Sequence, residues 1–309
     1  MRRFLFVSLL LGCASTPPPA AHPAAEPADD PSPPVVSLPA GDLQVAITGA
    51  HRTDEERARD PYRHPRETLE FFGIRPSMTV LEVWPGRGWY TKILAPYVRG
   101  QGKLIVANVD PDSEGFLGEL VAGMDELLAS QPTLYDQVEK AGLYPGHLLD
   151  EVPDASVDLV LLPRTLHNWI RQPQNDAAAY LGALARVLRP GGVLGVVQHR
   201  APPGHASAET GEAGYLSEDF VIRLVSEAGF EFDERAEINA NPNDDHDHPD
   251  GVWSLPPTLR CDETEHTSME TIGESDRMTL RFVRLDTPAP ASDEADAPDE
   301  ADAADEQDD

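Results

Sequence analysis

Short apolar runs alternate with amphipathic segments through the middle of the chain. The strongest apolar runs are rich in β-branched residues and lie at 78–83, 103–109, 157–162 and 193–198. Runs of this length and composition predict buried strands. Between them, apolar positions recur with helical spacing at 88–98, 113–130 and 176–188. This alternation predicts a parallel sheet covered by helices on both faces.

Weaker patterns flank this core. Thr53 and Ser217 each precede acidic residues and predict the N-caps of two further helices, and 64–72 is also helical in pattern. Further strand candidates lie at 137–141, 230–237 and 278–285. Because no convincing helix separates the last two candidates, we predict that the last strand inserts antiparallel.

The first 13 residues, MRRFLFVSLLLGC, have two arginines followed by a short apolar run. The run is too short to span a bilayer and resembles a bacterial lipobox that ends at an acylated Cys13. A chance cysteine after an ordinary signal peptide, or an uncleaved anchor, is the alternative. Residues 14–43 are rich in proline and alanine and predict a disordered tether. The expected location is therefore the bacterial cell envelope, lipid-anchored and facing the periplasm.

The chain is strongly acidic, with a formal net charge of −30. Residues 286–309 hold 11 acids and no bases, which predicts a disordered acidic tail and leaves 44–285 as the folded domain. A negative surface repels phosphate, so we expect no nucleic-acid partner and membrane contact only through the lipid anchor. With Cys13 acylated, Cys261 has no partner for a disulfide and is interpreted as an inert thiol.

A carboxylate and two glycines follow the first strong strand. Glu82 lies at the strand end, and Gly86 and Gly88 form a tight turn that opens a helix. Free N–H groups at a helix start and close backbone approach favour a small-molecule crevice at this edge of the sheet. A turn and a helix start would, however, also account for the glycines.

The segment 80–91, VLEVWPGRGWYT, resembles motif I of class I S-adenosylmethionine-dependent methyltransferases. The acid Asp110 after the second strand, the run VDLVLL at 157–162 and ARVLRPGGVL at 185–194 follow in that family's order. The sequence is especially similar to a poorly characterised, exported branch of predicted methyltransferases. This resemblance implies an α/β fold with a Rossmann-like, mostly parallel sheet, an antiparallel last strand and helices on both faces.

The resemblance implies S-adenosylmethionine as cofactor and a methyltransferase activity. The predicted cofactor-binding residues are Glu82, Trp84, Pro85, Gly86, Gly88, Tyr90, Asp110 and Arg164. Two positions depart from the family pattern. Trp84 replaces the usual first glycine, and Asp110 lies 24 residues after Gly86, so Asn108 competes with it for the ribose hydroxyls.

The acceptor side is predicted from polar residues that follow the apolar runs 157–162 and 193–198, which are the fourth and fifth predicted strands. His167 and His199 are candidate general bases, and Arg200 is a candidate clamp for an acidic acceptor. A satisfied loop histidine and an arginine paired with an acid are the alternatives. The loop 243–250 holds four acids and two histidines, but its spacing matches no metal motif, so no metal site is predicted. It is interpreted as a solvated loop or as a lid anchored by Trp253.

Two functions from different classes remain open. The first is a methyltransferase acting on a small or envelope-associated acceptor. The second is a lipid-anchored binding protein that keeps the architecture without transfer, since S-adenosylmethionine is made in the cytoplasm. A metal-dependent enzyme using 244–250 is a weaker third hypothesis.

Overall fold

The computed structural model describes residues 38, 41–205 and 211–286. The predicted signal peptide with Cys13, most of the predicted tether 14–43 and the acidic tail beyond 286 lie outside the described residues. Within the described ranges, no helix is both long enough and apolar enough to cross a membrane.

A single sheet of eight strands organises the described part of the chain, in the order β4-β3-β2-β1-β5-β6-β8-β7. The strands are β1 (Thr79–Val83), β2 (Lys103–Asn108), β3 (Glu139–Tyr144), β4 (His147–Leu148), β5 (Val157–Pro163), β6 (Leu188–His199), β7 (Phe230–Ala236) and β8 (Arg277–Arg284). All seven predicted strands are present, and only the short β4 lacks a counterpart in the sequence prediction.

Strands β3, β2, β1, β5 and β6 are parallel, whereas β8 runs antiparallel between β6 and β7. The predicted antiparallel last strand is therefore confirmed, and with it the Rossmann-like, mostly parallel α/β fold. Strand β6 begins at Leu188, earlier than predicted, because a register shift opposite Val157 and Leu159 lets the turn 190–192 stay in the sheet.

Helices cover both faces of the sheet. They are α1 (Leu43–Thr48), α2 (Asp54–Arg57), α3 (Asp60–Arg63), α4 (Pro65–Phe71), α5 (Thr91–Val98), α6 (Gly115–Ser130), α7 (Pro132–Tyr135), α8 (Leu166–Arg171), α9 (Ala177–Val187), α10 (Glu218–Glu227) and α11 (His266–Ile272). Thr53 caps α2 in a reciprocal capping box with Glu56, and Ser217 caps α10, as predicted. Helix α1 begins at Leu43, one residue before the predicted start of the domain.

Alternate residues of the central strands pack into two hydrophobic cores, one on each face of the sheet. In β1, Val80 packs on the side of α1, α4 and α5, and Leu81 packs on the side of α8, α9 and α10. Since both faces are covered, the central strands are nearly continuously apolar in sequence. The exception is Glu82, which is fully buried on the α5 side and marks the edge of the site described below.

The segment α1–α4 is held by a buried arginine. Arg52 is 1% exposed, and its guanidinium donates to both carboxylate oxygens of Asp60 at 2.6 and 2.8 Å and to the Ile47 carbonyl at 2.6 Å. This bidentate pair fixes the start of α3. Arg59 and Arg63 are thereby brought to the edge where β1 and β5 end.

The segment before β8 is pinned to the same edge by buried asparagine contacts. The Asn239 amide donates to the hydroxyls of Thr68 and Thr279, each at 2.9 Å. The Asn241 amide donates to the carbonyls of Ile272 and Glu274. These contacts hold the loop 273–276 against α4 and the start of β8.

Gly195 in β6 offers a test of the packing between the sheet and α4. A Cβ atom built there would lie 2.6 Å from the Phe72 ring, which is itself only 1% exposed. We expect Gly195→Ala to lower the free energy of unfolding by about 1–3 kcal/mol, because the buried ring has to shift. Urea denaturation of the full chain measures this change.

Gly182 provides the matched control. It lies on the exposed side of α9 with nothing within 4 Å of a built Cβ, so Gly182→Ala should stabilise by about 1 kcal/mol. Equal stability of the Gly195→Ala protein and the wild type would show that the ring and strand are not packed as described.

Candidate functional site

The turn after β1 uses a tryptophan where the family pattern has glycine. Trp84 has a φ of +45°, in the left-handed region that costs a non-glycine residue about 1–2 kcal/mol. Its indole N–H donates to the Leu143 carbonyl at 2.9 Å, and its ring packs edge-on against Trp169 at 5.9 Å. The glycine-like backbone is therefore kept, and aromatic packing offsets its strain.

The two glycines of the turn have different roles. A Cβ at Gly88 would lie 2.4 Å from Leu127 of α6, so Gly88 allows close packing between the turn and that helix. A Cβ at Gly86 would meet nothing within 4 Å. Gly86, with a φ of +60°, lies beside open space at the carboxyl end of β1.

That space is a cavity of about 460 Å³, here called the larger cavity. Six of the eight predicted cofactor-binding residues line it, namely Glu82, Trp84, Pro85, Gly86, Tyr90 and Arg164. Gly88 and Asp110 are not part of the lining, whereas Asn108 is. The Asp110 carboxylate instead accepts the backbone N–H of Asp112 at 2.9 Å. The structure thus brings Asn108, the competing candidate, to the cavity, and the roles of these residues stay predictions.

Glu82 is the most unusual group in the lining. It is fully buried, and one carboxylate oxygen accepts the Thr91 hydroxyl at 2.7 Å. The other oxygen, Oε1, has no hydrogen-bond partner among the described residues. Burial raises the pKa of Glu82 to about 7, against the opposing effects of Thr91 and Arg164. A donor or cation brought to Oε1 would satisfy this atom and favour the ionised carboxylate.

The far wall of the larger cavity is apolar. It is formed by Val109 and by Phe116, Leu117 and Leu120 of α6. Phe116 is 62% exposed, an unusual position for a large apolar side chain unless it borders a ligand. The lining also includes six arginines, namely Arg59, Arg63, Arg87, Arg164, Arg171 and Arg260, so Glu82 is its one carboxylate among cationic groups. The apolar wall suits a flat apolar group.

A second cavity of about 230 Å³, here called the smaller cavity, adjoins the first. The two share lining residues: Arg59, Arg63, Arg164, Asn168 and Trp253. His167 and His199 both line the smaller cavity, with ring centroids 5.3 Å apart. Trp253, the predicted lid anchor, lies in the 3₁₀ helix Gly251–Ser254 and forms a wall of both cavities.

His167 is held by the buried amide of Gln198. The amide nitrogen donates to the Gly214 carbonyl at 3.1 Å and lies 3.2 Å from His167 Nδ1. Because that NH₂ group donates to both, Nδ1 accepts and the ring proton is assigned to Nε2. Burial lowers the pKa of His167 to about 4, so the ring is neutral at pH 7. In this tautomer His167 is a hydrogen-bond donor toward the cavity.

His199 is also neutral. Its Nδ1 lies 2.5 Å from the hydroxyl of Ser275, and burial together with His167 and Arg277 lowers its pKa well below the usual value. The serine hydroxyl can donate or accept, so both tautomers of His199 remain open. Of the two histidines, His199 is the one whose Nε2 could take a proton.

Arg200, the predicted clamp, is paired with acidic side chains outside the cavities. It lines neither cavity, and its guanidinium binds both oxygens of Asp276, at 2.8 and 3.0 Å, and also Glu237. The Asp276 carboxylate raises the pKa of Arg200 further above its usual value. The structure favours the alternative that Arg200 is paired with an acid.

The loop 243–250 is tied down by a buried aspartate. The Asp244 carboxylate accepts the Tyr215 hydroxyl at 2.9 Å, the backbone N–H of Asp276 at 2.8 Å and the backbone N–H of His246 at 3.0 Å. Its Oδ1 also lies 2.8 Å from His248 Nε2. Asp244, Asp245 and His248 are close enough to share an ion, but the donors around Asp244 already account for its carboxylate.

Cys261 is a free thiol and half-buried. Partial burial and neighbouring acids raise its pKa, which disfavours the reactive thiolate. This agrees with its interpretation as inert.

The residues missed by sequence reasoning are charged groups around the smaller cavity: Arg59, Arg63, Glu274 and Arg277. In the sequence, Arg59 and Arg63 are four residues apart, a spacing that places them on one helical face but carries no sign of a site. Nothing in the sequence alone brings them to residues more than 200 positions away.

Residues 81–196 match the family described as "Methyltransferase domain". Among solved structures, the [4+2]-cyclase SpnF is similar with a TM-score of 0.51 and 13% identity, over 81% of this chain and 98% of that one. A SAM-dependent methyltransferase from Aquifex aeolicus has a TM-score of 0.48 and 17% identity, over 79% and 99%. Geranyl diphosphate methyltransferase in complex with SAM has a TM-score of 0.47 and 14% identity, over 81% and 97%. None of the curated proteins matches this chain.

The strand order and the SpnF likeness agree on the fold, and the matched segment contains the turn, the larger cavity's edge and His167. The domain therefore has the class I methyltransferase fold, and residues 81–196 carry the match to a methyltransferase domain. Because one structure of this fold is named as a cyclase, the reaction has to be argued from the site.

The buried His167 predicts a specific loss of stability in acid. The unfolded chain binds a proton near pH 6.5, which the folded protein resists until about pH 4, so stability is lost as pH falls through this window. Between pH 7.5 and 5.0 this loss is about 2 kcal/mol. Urea denaturation of wild type and His167→Gln at both pH values should show a smaller drop in the variant by that amount. Equal losses of unfolding free energy in the two proteins would contradict a buried, neutral His167. His199 contributes equally to both proteins, so its effect cancels in the comparison.

Proposed function

We propose that this protein is an S-adenosylmethionine-dependent methyltransferase that transfers a methyl group to a small or envelope-associated acceptor. The observation that carries the proposal is the unpartnered Oε1 of Glu82 at the larger cavity. It lies within the segment that matches the methyltransferase family.

The residues at the larger cavity fit this cofactor. S-adenosylmethionine carries an ammonium group, which would give Glu82 Oε1 the donor that it lacks. Its adenine is flat and largely apolar at its faces, which suits Val109, Phe116 and Leu117. Asn108, which also lines this cavity, would be available to the ribose hydroxyls.

When bound, S-adenosylmethionine supplies an electrophilic methyl group on a sulfonium. The part of this chain is positioning and exclusion of water, which suffice for much of the acceleration of an in-line displacement. Trp253 stands between the two cavities, and Arg171 and Arg260 stack on its ring at 4.7 and 5.8 Å. This stacked wall would limit water where the cavities meet.

The alternative function is a lipid-anchored binding protein without transfer. The observation that favours it is the lipobox-like sequence at 1–13, because the cofactor is made in the cytoplasm. Both functions place a ligand in the cavities. Only the methyltransferase requires S-adenosylmethionine, so binding of this cofactor distinguishes the two functions.

Calorimetric titration of S-adenosylmethionine into the full chain tests the proposal. We expect micromolar binding that is lost in Gly86→Val, because a branched side chain at a φ of +60° strains the turn and points into the cavity. Gly146→Val is the matched control, since Gly146 also has a positive φ and open space but lies in the turn between β3 and β4. If the folded wild type does not bind S-adenosylmethionine, the alternative function, a binding protein without methyl transfer, is favoured.

The pKa of Glu82 adds a pH signature to the same titration. The free carboxyl is about half protonated at pH 7 and must ionise to pair with an ammonium, so affinity should rise with pH. Between pH 6.0 and 7.5 we expect tightening of about eightfold for wild type. Glu82→Gln should bind more weakly and show little of this dependence. A pH-dependent affinity that survives in Glu82→Gln would remove Glu82 from the cofactor site.

We also propose that the protein is anchored in the bacterial envelope through acylated Cys13, which lies outside the described residues. Growth with radiolabelled palmitate should label the wild type and not Cys13→Ser, because only a thiol can accept the lipid here. Equal labelling of both proteins, or of neither, would count against the anchor.

A further inference from the structure

Four arginines surround the smaller cavity, and three of them converge on one carboxylate. Arg59 and Arg63 donate to Glu274 at 2.6 and 2.9 Å, and Arg277 donates to it at 2.5 Å. Glu274, Arg63 and Arg277 are each at most 4% exposed. The buried arginines Arg63 and Arg277 need compensating charge, which Glu274 supplies.

The fourth arginine, Arg164, has no such partner. Its guanidinium makes no hydrogen bond and no ion pair with any described residue, although it lines both cavities. Burial, with Arg277 and Arg59 nearby, lowers the pKa of Arg164 to about 10. Its backbone also has a φ of +55°, so the side chain is presented from a strained position at the end of β5. Glu82 and Glu274 act on Arg164 electrostatically, but neither carboxylate is within hydrogen-bond or ion-pair distance of its guanidinium.

The charges of the lining do not balance. Four guanidinium groups face the single carboxylate of Glu274 among the described lining residues, which leaves an excess of three positive charges. His167 and His199 add no negative charge and, through the Nε2–H of His167, one more donor. This local excess of positive charge contrasts with the net charge of −30 of the whole chain.

We propose that the smaller cavity binds the oxyanion, a carboxylate or a phosphate, of a small-molecule acceptor, and that Arg164 forms the ion pair with it. This proposal rests on the proposed function, because the bound oxyanion belongs to a methyl acceptor only if the protein is a methyltransferase. Guanidinium groups match both oxyanions with two parallel hydrogen bonds. The volume of about 230 Å³ limits the bound part to a small group.

The position of Arg164 fits this role. Because it borders both cavities, an oxyanion on Arg164 lies next to the proposed cofactor site. If the oxyanion is itself the methyl acceptor, it carries no proton and no base is needed, in agreement with the donor tautomer of His167. If it is only a handle, His199 remains as a base for another atom.

The experiment is calorimetric titration of the full chain with succinate and with inorganic phosphate, in the absence of cofactor and at constant ionic strength. Succinamide, a neutral compound of the same shape as succinate, is the control ligand. We expect succinate or phosphate to bind and succinamide not to bind. Arg164→Gln should weaken the binding by about tenfold or more, the loss of one charge-assisted pair.

Arg66→Gln is the matched control variant, since Arg66 is exposed on α4 and pairs with Glu70 outside both cavities. It should bind the anions as wild type does. If Arg164→Gln fails to fold, Arg59→Gln replaces it, because Arg59 is more exposed than Arg63 and also lines the cavity. Failure of both anions to bind, binding of succinamide as tight as that of succinate, or equal losses in the cavity and control variants would each overturn the proposal.

The anion titration is repeated in the presence of saturating S-adenosylhomocysteine. This tells an acceptor site apart from a site that binds the cofactor's own carboxylate. Anion binding that persists supports a distinct acceptor site, whereas competition overturns it. The two proposals can fail separately. S-adenosylmethionine can bind the larger cavity when no anion binds the smaller one, and an anion can bind the smaller cavity when S-adenosylmethionine does not bind.

Discussion

The site depends on one carboxylate shared by arginines from opposite ends of the domain. Glu274 precedes the last strand, whereas Arg59 and Arg63 lie 215 and 211 residues earlier, on the segment that precedes the first strand. With Arg277, these contacts hold α3 against the start of β8 and form one wall of the smaller cavity. Removing this buried carboxylate would leave two buried cations, Arg63 and Arg277, and a half-buried one, Arg59, which is far more costly than losing a surface pair.

Arginines line both cavities, and the other lining groups distinguish the two in the proposed chemistry. The larger cavity adds the protonatable carboxylate of Glu82 and an apolar wall, whereas the smaller one adds Glu274 and two neutral histidines. Trp253 and Arg164 stand where they meet, so a cationic and an anionic ligand would lie side by side. The acidic remainder of the chain adds a field that repels anions at long range, whereas the local arginines attract them within roughly a Debye length of about 10 Å.

The parallel strands and the antiparallel last strand are predictable from the sequence, because each central strand is a short, β-branched run and no convincing helix separates the last two strands. Glu82, Gly86 and Arg164 line the cavity at the carboxyl ends of β1 and β5, where the sequence predicts a small-molecule crevice, and their binding roles stay predictions. The position of Arg200 after β6 predicts an acceptor role, but its bidentate pairing with Asp276 depends on a loop 76 residues away. The role of Arg59 and Arg63 is equally invisible in the sequence, because only the fold brings them to Glu274. The left-handed Trp84 also could not be foreseen, because its compensation comes from Leu143 and Trp169.

The insertion of β8 between β6 and β7 has a consequence for the order of folding. Strand β6 can pair with β5 as soon as both exist, but its other edge stays open until residues 277–284 arrive, and β7 then has its partner at the same moment. The Glu274 contacts form only with that step, so a chain still being synthesised has the parallel half of its sheet without a completed site. Sheet closure and assembly of the cavity walls are thus one late, non-local event, which delays any ligand binding until nearly the whole domain has emerged.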